Sequence, residues 1–414
     1  MVISTMANAP NIWRVKIFTE IAATGSVSVA AARLGLTQPA ASQALKALEK
    51  WTEAALFERK NNRLALTPAG AALAPRARAA LALLEEGLGE AAGREGAPPS
   101  LLRAMSGRRL ETLISIIRHG GFANAAKAEG YAAPTVHRSA KDLERALGAP
   151  LFEATSHGVR PTRRAEALAL KAGLAFGELR QGLAELRELS GREAGATVIG
   201  AMPLARAHLA PAAAADFAAD YPEHRISILD GAYEDLLIGL RRGETDFLIG
   251  AVRENPLVKD IVEEPLFEDP LSIVMRAGHP ALASDDGATA FAKYPWIAPR
   301  PTSPLRRHFD ALFTWLGVPA PEDVIECNSL SAARVLMLNS NRMMLLSDLQ
   351  IGYEKSAGML ASRPHPAGQV TRLIGLTMRR NWRPTAAQKA LVDAVRAQGA
   401  AAASQKRHPL CPLS

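Results

Sequence analysis

The sequence predicts an α-helical half followed by an α/β half: two tandem winged helix-turn-helix units with long linker helices, then a two-lobed α/β domain. Three observations carry this. Residues 18–70 align with 113–165 at a constant offset of 95 without a gap, with 14 of 53 positions identical. The net charge of +8 falls entirely in the first half: residues 1–195 carry 26 Lys/Arg and 18 Asp/Glu, whereas residues 196–414 carry 23 of each. From Ala196 onward, strand-like and helix-like segments alternate in β-α-β-α-β order, as in an open parallel sheet with helical crossovers.

Length and composition set the outer bounds. At about 150 residues per domain, 414 residues make two to four domains. Only two cysteines, Cys327 and Cys411, argue against a disulfide scaffold and fit a reducing cytoplasm. The N-terminal MVISTMANAPNIWRVK has no apolar signal core, and no apolar run is long enough to span a membrane, so a cytoplasmic protein without membrane contact is expected. There is no Gly-rich phosphate loop, nucleophile elbow or paired set of metal ligands, and the nine histidines are scattered. The expectation is neither an enzyme nor a holder of metal or cofactor. A basic half joined to a neutral half suggests a polyanion-binding part and a part with another task.

The first unit spans residues 11–92. A helix from Ile12 to Thr24 ends at a glycine, and a short helix around Ala30-Ala31 leads into a turn in which Gly35 takes positive φ at no steric cost. Thr37 then caps a helix whose first turn holds Pro39, where a missing N–H costs nothing. Ala41, Leu45 and Leu48 recur at helical spacing and face inward, leaving Gln38, Ser42, Gln43 and Lys46 outside. An ordinary amphipathic surface helix has the same pattern. Uncharged donors and acceptors with one cation also suit base edges and phosphates in a major groove. A hairpin follows, read as a wing, with Arg59, Lys60 and Arg63 where phosphates would pass, and then a helix from Pro68 to Ala92.

Residues 93–105, beginning GREGAPPS, read as a linker. The second unit, 106–190, repeats the layout with a first helix from Leu110 to His119 and a closing helix from Arg163 to Leu189. Its middle helix has Ala132 and Ala133 where the first has Thr37 and Gln38, and its outward face is Thr135, His137, Arg138 and Lys141. That face is more basic and less amide-like, and its wing has no counterpart of Arg59. Copy 1 is therefore expected to be the main base reader. Copy 2 is left to read flanking DNA, grip phosphate, or act as a spacer and oligomerisation unit; His137 fits a solvent-facing residue as well as a base contact.

The second half, 195–398, begins with a strand at Ala196–Ala201 and a helix from Met202-Pro203 to about Ala219. Strands at 225–229 and 245–252 flank a helix from Tyr233 to Arg241. A crossover near Leu266 to Pro270 precedes a strand at Leu271–Met275. A second lobe starts at Lys293–Ala298, with a helix from Pro304 to Leu316 and strands at 325–328 and 343–346. Thr371–Met378 returns to the sheet, Ala386–Gln398 is the last helix, and 399–414 is expected to be disordered. Ligands of such sheets bind outside the carboxyl ends of strands, which selects Met202, Pro203, Gly231 and Ala251. Arg206 adds a charge one turn into the helix, and the helix start at Met202 offers free N–H groups. Thr302 and Ser303 occupy the same kind of position in the other lobe, though a hydroxyl before a helix also serves as a local cap.

The phrases AAARLGLTQPAASQALKALE, LFER and LALTPAG resemble the DNA-binding domain of LysR-type transcriptional regulators. The phrases LPLARAHLAPAAAADF, ILDGAYEDLLIGLRRGETDFLIGAV and RAGHPAL resemble the effector-binding domain of the same family, a two-lobed fold like periplasmic binding proteins. Within the family they are most similar to the galactose-binding-protein regulators and protocatechuate-pathway regulators. The resemblance covers residues 11–400. It departs from the family in having a second copy, and in having Lys50 to Ala55 where the family has a Leu-Gly turn, which copy 2 keeps as Leu147-Gly148. The resemblance implies double-stranded DNA as partner and a small-molecule effector (sugar, sugar acid or aromatic acid) between the lobes, with Asn328 and Ser329 facing the cleft. It also implies a homodimer or homotetramer paired through the linker helices, with RNA polymerase as a further candidate partner. The competing reading is a ligand-independent architectural DNA-binding protein with a partner-docking C-terminal half.

Overall fold

The computed structural model of the chain describes residues 11–405 except 61–62, 157, 192–194, 254–257, 285–286 and 302. In the first unit α1 (Ile12–Thr24), α2 (Val27–Arg33) and α3 (Gln38–Thr52) lead into the hairpin β1 (Phe57–Lys60) and β2 (Arg63–Leu66), and α4 (Pro68–Ala91) closes it. After α5 (Pro99–Ala104), the second unit has α6 (Gly107–His119), α7 (Phe122–Glu129), α8 (Ala133–Leu147), β3 (Phe152–Thr155), β4 (Gly158–Pro161) and α9 (Arg163–Leu189). Both hairpins are antiparallel. Side-chain caps start most of these helices: Asn11, Ser26, Thr37 and Thr67 in the first unit, Ser106 and Thr162 in the second.

The two closing helices pack on each other within the chain, and they run antiparallel. Arg76 of α4, only 3% exposed, donates to Glu178 at 3.0 Å, Gln181 at 2.8 Å and Glu185 at 2.5 Å, all on α9. Further along, Lys171 of α9 meets Glu86 and Glu90 of α4. The backbones approach closely at two glycines. A Cβ on Gly87 would lie 2.9 Å from Lys171 Cβ, and one on Gly182 would lie 3.0 Å from Leu73 Cδ1. The apolar faces of the two linker helices thus cover each other within the chain. One hydrophobic core runs from Ile12 to Leu186 through both units, and a smaller cluster around Ile116, Ala125 and Val136 lies in the second. The linker also differs from expectation: Leu101, Leu102 and Met105 are buried in that core, which holds α5 as a helix.

The α/β half contains β5 (Ala196–Ala201), α10 (Pro203–Ala207), α11 (Leu209–Asp220), β6 (Arg225–Asp230), α12 (Tyr233–Arg241), β7 (Phe247–Ala251) and β8 (Ile261–Arg276). It continues with β9 (Trp296–Ala298), α13 (Pro304–Leu316), β10 (Val324–Glu326), α14 (Leu330–Leu338), β11 (Met343–Ser347), α15 (Gly352–Ser356), β12 (Leu360–Pro364), β13 (Thr371–Arg379) and α16 (Ala386–Gln405). Strand order is β10-β9-β11-β8-β13-β7-β5-β6, with β12 also on β8. β5, β6 and β7 are parallel, but β13 and β8 are antiparallel additions, so the sheet is mixed rather than all parallel. One lobe packs its core between the sheet and α11 and α16; the other builds its core around Trp296, Phe309 and Phe313.

Three further expectations are corrected here. The helix from Met202 breaks at His208, since Pro211 would clash with the carbonyl four residues back in a continuous helix and fits instead in the first turn of α11. Residues 266–270, expected as a crossover, belong to one 16-residue strand, Ile261–Arg276, and a register shift at Ile374/Gly375 accommodates Pro265. The last helix runs on to Gln405, because Gly399 packs on Leu266 and Ala402 is buried; the rest of the tail expected to be disordered lies outside the described residues.

Candidate nucleic-acid interface and effector cleft

α3 presents the face the pattern predicts. Ala41, Leu45 and Leu48 are buried, whereas Gln38, Pro39, Gln43 and Lys46 are exposed and Ser42 is half-buried. Thr37 caps the helix by accepting the Ala40 N–H at 3.4 Å, so its hydroxyl is engaged with the backbone. Arg59, Lys60 and Arg63 are exposed on the hairpin, and among the described residues neither they nor Lys46 has an ion-pair partner. Copy 2 differs. Lys141 is paired with Glu144 at 2.8 Å and Arg160 with Glu153 at 2.8 Å. His137 lies edge-on to Phe122 with ring centroids 5.2 Å apart, and Thr135 and Arg138 are exposed. Ala132 caps α8 with no side-chain hydrogen bond.

The backbone after α3 and after α8 follows one path despite different residues. Gly148 ends α8 at φ 67°, and Glu53, at the equivalent position, ends α3 at φ 54°. Glu53 is the sole non-glycine with positive φ among the described residues. The Leu-Gly turn absent from copy 1 is therefore present in shape.

Strand register places the second candidate site. β7 pairs antiparallel with β13, and β13 with β8, so β8 runs in the same direction as β7. It leaves the first lobe at Pro270 and enters the second at Leu271. There β11 runs antiparallel to it with Ser347 opposite Leu271, and β9 and β10 run parallel to β11. In both lobes the carboxyl ends of the parallel strands thus point at one crossing. Met202, Pro203, Gly231 and Ala251 lie at those ends in the first lobe, and Ser303, Asn328 and Ser329 in the second. Thr302 lies outside the described residues.

Several of these groups also have local tasks. Ser303 accepts the Leu305 N–H and Ser329 the Ala332 N–H, both at 3.3 Å, as caps. Asn328 Oδ1 accepts the Arg300 N–H at 3.0 Å and ties together the loops after β9 and β10. Arg206 is paired with Asp230, so its charge is matched within its own lobe. Sequence reasoning missed a buried polar group at the crossing. Arg372 donates to the fully buried Asp269 at 2.8 Å and to Gln350 at 3.2 Å, while its Nε is buried without a partner. Nothing local signals this, since Asp269 is 103 residues away.

The effector lobe is fastened to the second unit and to both closing helices, α4 and α9. Arg118 pairs with Glu244 at 2.7 Å, Arg180 donates to the Gly243 carbonyl at 3.3 Å, and Arg76 donates to the Arg383 carbonyl at 2.8 Å. A cavity of about 190 Å³ lies at this junction, lined by Arg108, Glu111, Tyr131, Phe176, Arg180 and Glu244 among others. Glu111 Oε1 is buried there without a partner, and burial, with the charge of Glu129 second, pushes its carboxyl up to about 7. Among the described residues no His/Cys/Asp/Glu group of three has metal-binding geometry, and no helix is long and apolar enough to cross a membrane.

Comparison with known proteins agrees with these features. The description "Bacterial regulatory helix-turn-helix protein, lysR family" matches residues 12–71 and again 108–166, and "LysR substrate binding domain" matches 190–400. The HTH-type transcriptional regulator GalR of Pseudomonas putida is 32% identical over 94% of this chain and 97% of its own length. The regulator PcaQ of Agrobacterium fabrum is 27% identical and covers 93% of its own length but 70% of this chain. Among solved structures, a full-length OxyR variant from Pseudomonas aeruginosa has a TM-score of 0.51 at 22% identity, covering 70% of this chain and 95% of that one. Full-length CbnR in complex with its target DNA has a TM-score of 0.50 at 18% identity, covering 71% and 100%. The chain therefore belongs to the LysR family of DNA-binding transcriptional regulators, with the family's helix-turn-helix present twice before its effector-binding domain.

Proposed function

We propose that copy 1 is the main base reader and that a sugar, sugar acid or aromatic acid, bound where the strand ends of the two lobes face each other, sets the regulator's DNA affinity. One contrast carries the first part: among the described residues Lys46, Arg59, Lys60 and Arg63 have no ion-pair partner, whereas Lys141 and Arg160 of copy 2 are paired. Free cations are available to phosphate, and paired ones must first give up a carboxylate. The second part is supported by Ser303, Asn328 and Ser329 at the facing ends, uncharged polar groups suited to hydroxyl and carboxylate groups. Effector binding would act on DNA affinity by favouring one lobe arrangement, and the contacts at Arg118 and Arg76 offer a route to the DNA-binding units. We place the protein in the cytoplasm, as a homodimer or homotetramer that contacts RNA polymerase. Its linker helices face each other within the chain, so self-association falls to the effector lobes.

The test is calorimetry on the full chain with panels of sugars, sugar acids and hydroxybenzoates, followed by DNA-binding titration with any compound that binds. A compound that binds and shifts DNA affinity supports the reading. Absence of heat across all three panels overturns the effector assignment.

A further inference from the structure

We propose that a single chain reads a two-part DNA site with unlike halves, α3 on one half and α8 on the other. This rests on the reading of copy 1 as a base reader and extends it to copy 2.

The contacts between α4 and α9 obey the offset of 95. Arg76 meets Glu185, while Lys171 (76 shifted by 95) meets Glu90 (185 shifted back by 95). Gly87 abuts Leu168 and Lys171, and its counterpart Gly182 abuts Leu73 and Arg76, the counterparts of those two residues. Reciprocal contacts of this kind define a two-fold axis. Here the axis lies inside one chain. Each unit is fixed to its helix in the same way, α1 on α4 and α6 on α9, so the same axis relates α3 to α8.

A homodimer built on such an axis presents two identical helices and reads an inverted repeat. This chain presents two different ones. Gln38, Ser42 and Gln43 on α3 correspond to Ala133, His137 and Arg138 on α8. An amide makes its paired hydrogen bonds to adenine, whereas an arginine makes them to guanine. The α3 half is thus expected to carry an essential adenine and the α8 half an essential guanine, with no inversion relating them. The exposure of Thr135, His137 and Arg138 keeps α8 open to such a contact.

Selection of full-length protein on a randomised DNA library, followed by footprinting on the preferred site, tests this. The expected site has two unlike halves. Gln38→Ala with Ser42→Ala should lower preference in one half, and Arg138→Ala in the other alone, each by roughly tenfold or more. Arg138→Lys keeps the charge but loses the fork, and should reproduce the loss of guanine preference without changing the salt dependence. An inverted repeat whose two halves both respond to the α3 substitutions would overturn the proposal, as would protection confined to one half. Absence of any sequence preference would overturn the copy 1 reading itself.

Discussion

Glu49 and Glu144, 95 residues apart in sequence, perform one structural task twice. Glu49 Oε1 accepts the Leu56 N–H at 2.9 Å, and Glu144 Oε1 accepts the Leu151 N–H at 2.8 Å and the Phe152 N–H at 3.2 Å. Each carboxylate reaches back from its helix, α3 or α8, and pins the start of the hairpin that follows. Burial acts to raise the Glu144 carboxyl, but hydrogen bonds from Lys141, Leu151 and Phe152 together hold it below the ordinary range. A depressed carboxylate stabilises the fold above its unfolded value, and that contribution is lost as pH falls through the folded value. Glu49→Gln and Glu144→Gln should each cost about 1–3 kcal/mol by denaturant titration at neutral pH. For Glu144→Gln the difference from the parent should shrink in acid.

Glu53 holds a left-handed backbone that Gly148 holds without strain. Glu53→Gly should stabilise the chain by about 1 kcal/mol. Conversely, Ala132→Thr restores the cap missing from α8 and should add about 1 kcal/mol. Thermal melts of the two single variants check both, and a decrease in either would mean that another contact outweighs the backbone or the cap.

Arg76 and Lys171 occupy equivalent places but unequal surroundings. Arg76 is buried, while Glu86 and Glu90 around Lys171 are about half exposed. Arg76→Ala leaves Glu178 and Glu185 facing the core without their cation and should cost about 3–5 kcal/mol. Lys171→Ala should cost less than about 1 kcal/mol, since exposed pairs contribute little. Equal losses in the two variants would show that burial does not set the difference.

Glu111 gives a pH dependence of the opposite sign to Glu144. Its carboxyl titrates at about 7 in the fold, above its ordinary 4.5, so the folded chain holds a proton that the unfolded chain releases. Stability is therefore unaffected by this group below about 4.5 and falls as pH rises through 7. Glu111→Gln should flatten that part of the profile and raise stability at pH above 7, measured by denaturant titration across the range. An unchanged slope would show that Glu111 stays ionised in the fold.

What could be read from sequence was local. Thr37, Pro39 and the stripe of Ala41, Leu45 and Leu48 lie within a dozen residues and together specify α3. The bounds of α12 and α13 were legible for the same reason. The strand at 261–270 was not: Pro265 and Pro270 count against a strand, and its partner β13 lies about a hundred residues further on. In α4, Arg76 reads as a solvent-facing charge in an Ala/Leu helix, and its burial depends on residues more than a hundred positions away. Ser303 was legible as a residue before a helix, and the structure has it capping that helix; the helix that Ser329 caps was not. The polar group at Arg372 and Asp269 has no local signature.

The pairing of α4 with α9 also bears on how the regulator behaves when scarce. Residues 92–98 tether α4 to α5 and the unit that follows, and a short tether holds its two ends at an effective concentration on the order of mM. Dilution cannot separate them. On the proposed two-part reading, each chain carries α3 and α8 already paired, so their pairing does not depend on how many copies a cell holds.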